Sequence, residues 1–394
     1  MPSRAPSPTR ARVGVSTLFF TNGVLFSAML PRYPEIKAAF GLSDTAFGFL
    51  VVAFAVGALT AAGAAGPLVR RFGARLVAGG GSVLLAAVLA LAASSRTVAL
   101  FAVALLVAGL VDAIVDAAQN VQGILVEEWF GRSIINSLHA VWSLGATAGG
   151  LIGTWAAAQD VPVGTQVLVI GILFGAVAVV SAILSSTPLD GGVPEPQDAE
   201  ADEGSTVGRP WRLLIPLVVL AICGALIEDV ANSWATLFMM REAGAAAGIA
   251  GFGYTVVLAS QFVGRLLGDP MTDRWDRDVV ARAGGLVIAA GVLLAILGAG
   301  PAPALIGFGL MGFGCGTLVP AAYAAAGRLP GFPRGTGVAI LGWLMRIGFL
   351  VTSPAIGAIS DWAGLRIAFV VPLAAGLIAA GIAHRLALAN RRTP

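Results

Sequence analysis

Charge is what this 394-residue sequence has least of. Asp, Glu, Lys and Arg make up 11% of it, against 57% hydrophobic residues and a mean hydropathy of +0.89. Soluble domains carry about 25% charged residues, so this chain has too little polar surface to cover a water-exposed fold. Its surface must face lipid. Lysine is nearly absent: of 24 basic residues, all but Lys37 are Arg. A phosphate-cradling G-x-x-x-x-G-K-[ST] loop needs a Lys in a glycine frame, and Lys37 follows Tyr33-Pro34-Glu35-Ile36, which argues against an ATP-driven pump. The two histidines, His139 and His384, and the two cysteines, Cys223 and Cys315, are scattered. They form no metal-ligand spacing, nucleophile triad or disulfide framework. No enzyme, metal or cofactor is expected, and the cysteines read as packing thiols. The net charge of +3 is spread as Arg between apolar runs and implies no nucleic-acid partner. The expected partners are membrane lipids and a small-molecule substrate, with the chain acting as a monomer.

What is present is a long series of apolar runs. They fall at 13–30, 44–68, 75–93, 98–122, 134–157 and 166–187, then at 212–238, 248–268, 282–299, 303–326, 336–358 and 366–388. A span needs roughly 20 apolar residues to cross about 30 Å of hydrocarbon. The pattern predicts an all-α membrane protein with 12 transmembrane helices in two six-helix bundles, at 1–188 and 211–394. Between them, 189–210 is rich in Pro and Gly and carries Asp190, Glu195, Asp198, Glu200, Asp202 and Glu203. Such a segment cannot bury a core, so it reads as a solvated cytoplasmic linker. Met1 to Arg12 is a Pro/Ser/Arg tail without a small-residue cleavage site, which leads into a retained first span. Of the loop charges, 18 Arg fall on the side of the N-terminus and five Arg or Lys on the other, with Arg346 left inside a span. The positive-inside rule then places both termini in the cytoplasm of a multi-pass protein in a bacterial-type inner membrane.

The halves repeat weakly at an offset of 203 residues. Gly66 to Gly73 aligns with Asp269 to Asp276, Gly109 with Gly312, and Gly145 with Gly348. Two parallel six-span halves are a layout of secondary transporters. At this level the sequence resembles the major facilitator superfamily over nearly its whole length. Gly66-Pro67-Leu68-Val69-Arg70-Arg71-Phe72-Gly73-Ala74-Arg75 resembles its signature loop, with Arg70 where the family has an acidic residue. Gly268-Asp269-Pro270-Met271-Thr272-Asp273-Arg274 is similar to the second copy and keeps its acids. The resemblance implies the major facilitator fold and assigns Gly66, Arg70, Arg71, Gly73, Arg75, Asp269, Asp273 and Arg274 to a conformational loop.

A narrower resemblance is to the fucose-permease-like branch and its bacterial relatives. It rests on Pro31 to Ile36 with Gly41-Leu42-Ser43-Asp44, on Asp116-Ala117-Ala118-Gln119-Asn120, on Leu138 to Gly145, and on Glu228 to Trp234. That resemblance implies proton coupling at Asp116, a place in the substrate cavity for Asn120, and a sugar-like solute. Ser233 stands where members of the branch often have Asp. Drug/proton antiporters of the superfamily usually carry an Arg in span 4 and a Gly-Pro motif in span 5, and this chain has neither. A proton-driven exporter of drugs or metabolites is the alternative reading, with a channel or receptor behind it.

Ionisable groups within spans cost at least a few kcal/mol, so each needs a partner or a purpose. Asp112, Asp116 and Asn120 are spaced four apart, on one face of span 4. Paired carboxyls away from water are a physical route to proton loading near neutral pH; the plain alternative is a polar cluster bracing helices. Glu228 and Asn232 repeat the spacing in span 7, whereas Asp229 points about 100° away, toward a neighbouring helix. Asp116, Glu228 and Asp112 are the proton-coupling candidates, with a proton gradient as energy source. Arg346 sits mid-span and cannot shed its charge. It should pair with Asp112 or Asp116, or bind an anionic substrate group. The substrate-binding candidates are Asn120, Asn232, Arg346, Asn22, Trp142 and Gln119, with Gln261 a further hydrogen-bonder. His139 reads as an interfacial histidine, and Ser43 as the N-cap of span 2.

Overall fold

The computed structural model describes residues 7–61, 64–131, 134–189, 211–326 and 336–390, and all regular structure among them is helical. The first eight helices are α1 (Pro8–Ser27), α2 (Tyr33–Ala39), α3 (Asp44–Thr60), α4 (Ala65–Phe72), α5 (Ala74–Ala93), α6 (Val98–Phe130), α7 (Ile135–Ala158) and α8 (Val163–Leu184). The rest are α9 (Trp211–Ser233), α10 (Ala235–Arg241), α11 (Ala247–Ala250), α12 (Phe252–Trp275), α13 (Arg277–Leu297), α14 (Pro301–Cys315), α15 (Leu318–Ala326), α16 (Thr336–Ala363), α17 (Leu365–Ala368) and α18 (Val370–Asn390). Among the described residues, ten helical stretches are long and apolar enough to cross a membrane. The bent pair α3–α4, at 57°, makes an eleventh. The 24-residue α7, about 36 Å at 1.5 Å per residue, is long enough to be the twelfth.

Two compact units emerge: Met1–Gly41 with Leu50–Glu195, and Leu42–Phe49 with Pro196–Pro394. The start of α3 therefore groups with the second unit. The expected linker, apart from Leu189, lies outside the described residues. In the first unit α1 packs on α7 and α8, and α5 on α6 and α8. Leu18, Ala78, Ala118 and Ala178 form one buried cluster; Val15, Phe19, Val126 and Leu138 form another. In the second unit α13 packs on α14 and α18, α12 on α14, and α9 on α16. Helices such as α3 and α8 are apolar all round, as lipid-facing helices must be.

Helix ends follow the local chemistry. Ser43 Oγ accepts the Ala46 N–H at 3.1 Å, so it caps α3 as expected. Thr97 caps α6, and Gly131, at φ 71°, ends it. Glu127 Oε2 accepts the N–H groups of Ile134 (2.5 Å) and Ile135 (3.0 Å), placing a carboxylate at the start of α7. The sequence reading also treats Arg32 as an external loop charge. Instead it is 1% exposed. Its guanidinium donates to both Glu35 carboxylate oxygens (2.6 Å each), to Gln166 Oε1 (2.6 Å) and to the Val161 carbonyl (2.7 Å). Gln166 in turn donates to the Ala28 carbonyl at 2.7 Å. The fork thus ties the segment after α1 to the start of α8.

The 203-residue repeat reaches the backbone. Gly73 has φ 82° and ψ 143°, and Asp276, its repeat partner, has φ 66° and ψ 149°. A turn natural for Gly is kept at Asp276, although positive φ with extended ψ is a conformation that residues with a Cβ adopt only under strain. A Cβ on Gly109 would strike the Phe54 carbonyl, and one on Gly312 the Val257 carbonyl; 54 and 257 are again 203 apart. One close helix crossing is thus built twice. The signature segments are not loops, however. Gly66, Arg70 and Arg71 lie in α4, and Asp273 and Arg274 in the last turns of α12, with Gly73 and Asp276 as the breaks. The side chain of Asp269 lies outside the described residues. Where the first half bends between α3 and α4, α12 runs on through Pro270.

Two outcomes test this packing, read as the melting temperature of the detergent-purified protein. Gly109→Ala and Gly312→Ala should each destabilise by about 1–3 kcal/mol. Gly80→Ala, whose Cβ meets nothing, should be neutral or slightly stabilising. Equal effects at all three sites would refute the close-crossing account. Arg32→Met should leave the Gln166 and Val161 oxygens without their donor and cost about 2–3 kcal/mol; an unchanged melting temperature would show the fork to be idle.

Candidate functional site

In the first unit, α1, α6 and α7 bring three candidates together. Trp142 Nε1 donates to Asn22 Oδ1 at 2.7 Å, and Asn22 Nδ2 donates to Asp112 Oδ1 at 2.9 Å. An indole N–H can only donate. It therefore fixes which end of the Asn22 amide faces the carboxyl, and that end is the donor. Among the described residues no basic side chain pairs with Asp112, so its hydrogen-bond partner is neutral. One turn along α6, Asn120 Nδ2 donates to the Asp116 carbonyl (2.9 Å) and to Asp116 Oδ1 (3.2 Å), and Asp116 is exposed. Gln119 points elsewhere. It is 1% exposed and donates to the Leu18 carbonyl at 3.3 Å, bracing α6 against α1. His139 packs edge-on against Phe19.

The second unit holds two carboxylate networks centred on α9. Glu228 Oε1, on α9, accepts Gln261 Nε2 at 2.5 Å and the Arg265 guanidinium at 2.8 Å, both from α12. Gln261 also reaches Cys315 Sγ at 3.7 Å, and that thiol donates to the Gly224 carbonyl at 3.5 Å. Both cysteines are free and buried. Arg265, counted from the sequence as a loop charge, lies well inside α12 and is the partner of Glu228. Arg346 is exposed on α16 and makes no ion pair with the described residues of its own unit. Asn232 is half-buried one turn beyond Glu228.

The other network was barely visible in the sequence. Trp234, fully buried, donates through Nε1 to Ser353 Oγ at 3.1 Å, and Ser353 Oγ donates to Asp229 Oδ2 at 2.6 Å. Ser353 Oγ thus accepts from the donor-only indole on one lone pair while its own proton is given to Asp229. Each unit thus contains an indole, a small polar relay and a carboxyl in series. At the start of α3, still in the second unit, the Asp44 carboxylate accepts Arg241 and Ser360, and Asp361 accepts the N–H groups of Asp44 and Thr45 at 2.8 Å each. A Trp or Ser in an apolar run reads equally well as packing, so no sequence signal singles out Ser353; Asp361 was hidden near a helix end.

These features sit on a chain that matches the model of the Major Facilitator Superfamily over residues 15–227 and 217–394. An uncharacterized MFS-type transporter of Yersinia pestis is 29% identical over 358 residues, covering 91% of each chain. Among solved structures, a point mutant of the nucleoside transporter NupG superposes with a TM-score of 0.76 at 11% identity, covering 95% of this chain and 99% of that one. The transporter FucP, in its outward conformation, gives 0.62 at 20% identity, covering 94% and 97%. At such identities the structures speak for the fold, and the family model speaks for descent: the chain belongs to the Major Facilitator Superfamily, a family of transporters and not of enzymes.

Proposed function

We propose that this chain is a secondary active transporter that moves a small hydroxyl-rich, sugar-like organic solute by alternating access, coupled to protons. Its setting is a bacterial-type inner membrane with both termini cytoplasmic. The observation that carries the reading is the Trp142–Asn22–Asp112 relay. A carboxyl held by a neutral amide keeps a hydrogen bond whether or not it is protonated, because its oxygens still accept in either state. Protonation there changes the charge of the unit without dismantling the helix contacts. Glu228 is built differently: protonating it would weaken its pairing with Arg265, so a proton there would loosen α9 from α12. Asp112 therefore serves as a proton-carrying site with Asp116 beside it, and Glu228 as a charge-dependent clasp. Asn120 and Asn232 supply hydrogen bonds to the solute. A nucleoside transporter among the proteins of this fold is in keeping with a polar, uncharged cargo.

Arg346 favours a second reading of the cargo. An exposed guanidinium with no ion pair among the described residues of its own unit, in the middle of a long helix, suits a solute that also carries a carboxylate or phosphate group. The experiment is a proteoliposome screen of hexoses, nucleosides and sugar acids, following the external pH in weak buffer. A transported solute should alkalinise the medium as it enters, because a symported proton leaves the medium with it. Acidification would indicate exchange of solute for protons and so the exporter reading. Counterflow with no pH change would contradict proton coupling, and absence of flux for the whole panel would point to a receptor.

A further inference from the structure

The lipid-facing seam between α5 and α8 is concave. Two grooves of about 360 and 390 Å³ follow it and meet at Val179. The first is lined by small and aliphatic residues, including Ala86, Ala90, Gly171 and Gly175. The second runs past Gly79 and Gly80 to Phe72 and Arg75. Along α5 they extend from Ala74 to Ala90, about 24 Å at 1.5 Å per residue, which exceeds one leaflet's half of the roughly 30 Å hydrocarbon core. The glycines leave real space in the wall. A Cβ on Gly80 would meet nothing within 4 Å, and one on Gly175 would meet Val83 at 3.9 Å. One end is cationic: Arg75 lines it, and the Arg71 guanidinium lies 5.4 Å from the centroid of the Phe72 ring. Among the described residues, the lining of the two grooves includes no acidic side chain.

We propose that this seam is a binding site for one anionic glycerophospholipid, its phosphate at Arg71 and Arg75 and one acyl chain laid in the groove. The apolar walls exclude a soluble anion, because only a molecule with a long hydrocarbon tail fills the space below the charges. The two arginines select against a zwitterionic headgroup, whose own cation offsets the phosphate. The groove walls make the contact a site and not a general surface attraction.

The test is native mass spectrometry of the detergent-purified full chain, mixed with equal amounts of phosphatidylglycerol and phosphatidylcholine. The expected result is one retained lipid, with phosphatidylglycerol favoured; each arginine should contribute roughly fivefold, so Arg71→Gln and Arg75→Gln each lower the preference by about that factor. Gly80→Leu and Gly175→Leu project into open space and should fold normally, yet they should cut retention of phosphatidylglycerol severalfold. Equal retention of the two lipids in the wild type would overturn the proposal. So would phosphatidylglycerol retention unaffected by both groove-filling variants, since that would leave only diffuse attraction to surface charge.

Discussion

A polar side chain withdrawn from water inside an apolar helix bundle must find its partners on neighbouring helices, and Asp112, Glu228 and Asp229 each do so. Much of the functional architecture follows from that constraint. Asp112 draws α1 and α7 toward α6 through Asn22 and Trp142. Glu228 ties α9 to α12, and Asp229 ties α9 to α16. Arg32 obeys the same rule for a cation, with acceptors from its own segment and from the start of α8. The side chains that look most like chemistry also hold the helices in register, so changes in their charge bear directly on packing.

The two units share ancestry in their backbone and differ in their chemistry. The Gly109 crossing and the Gly73 turn recur at Gly312 and Asp276, 203 residues on. The indole relays do not obey that offset. Trp142 corresponds to Met345, and Trp234 to Pro31. The relays therefore sit at unrelated positions of the repeat, each placing a donor-only indole two hydrogen bonds from a carboxyl. Among the described residues Glu228 has a cation and Asp112 has a neutral amide, so the two carboxyls are held by different physics.

Much of the frame was legible in the sequence because it depends on composition and period. Apolar runs near 20 residues, paired glycines and the Ser43 cap each have one ready physical meaning. The spacing of Asp112, Asp116 and Asn120 placed the first-unit face, and Asn22 and Trp142 were among the candidates. Partnerships were harder to read. Arg265 was taken for a loop charge because it lies close to Asp269, Asp273 and Arg274 in sequence, and its role appears only when α12 is seen to continue through Pro270. Glu228 takes Arg265 as its cation, a pairing between α9 and α12 that no spacing in the sequence announces. Gln119 sits next to Asn120 but about 100° around the helix, and is used for packing. Which residue meets which is a tertiary fact, and one sequence holds little trace of it.

The account turns on Asp112 carrying the coupled proton while leaving solute exchange intact. The most direct measurement compares wild type and Asp112→Asn in proteoliposomes with a transported solute, once as counterflow without a gradient and once as accumulation driven by an imposed pH gradient. Asn keeps the size of the side chain and its hydrogen bonding but cannot take up a proton. The account predicts counterflow within about twofold of wild type and accumulation lower by at least tenfold, a loss of about 1.4 kcal/mol or more in coupling. Full gradient-driven accumulation by Asp112→Asn would contradict it.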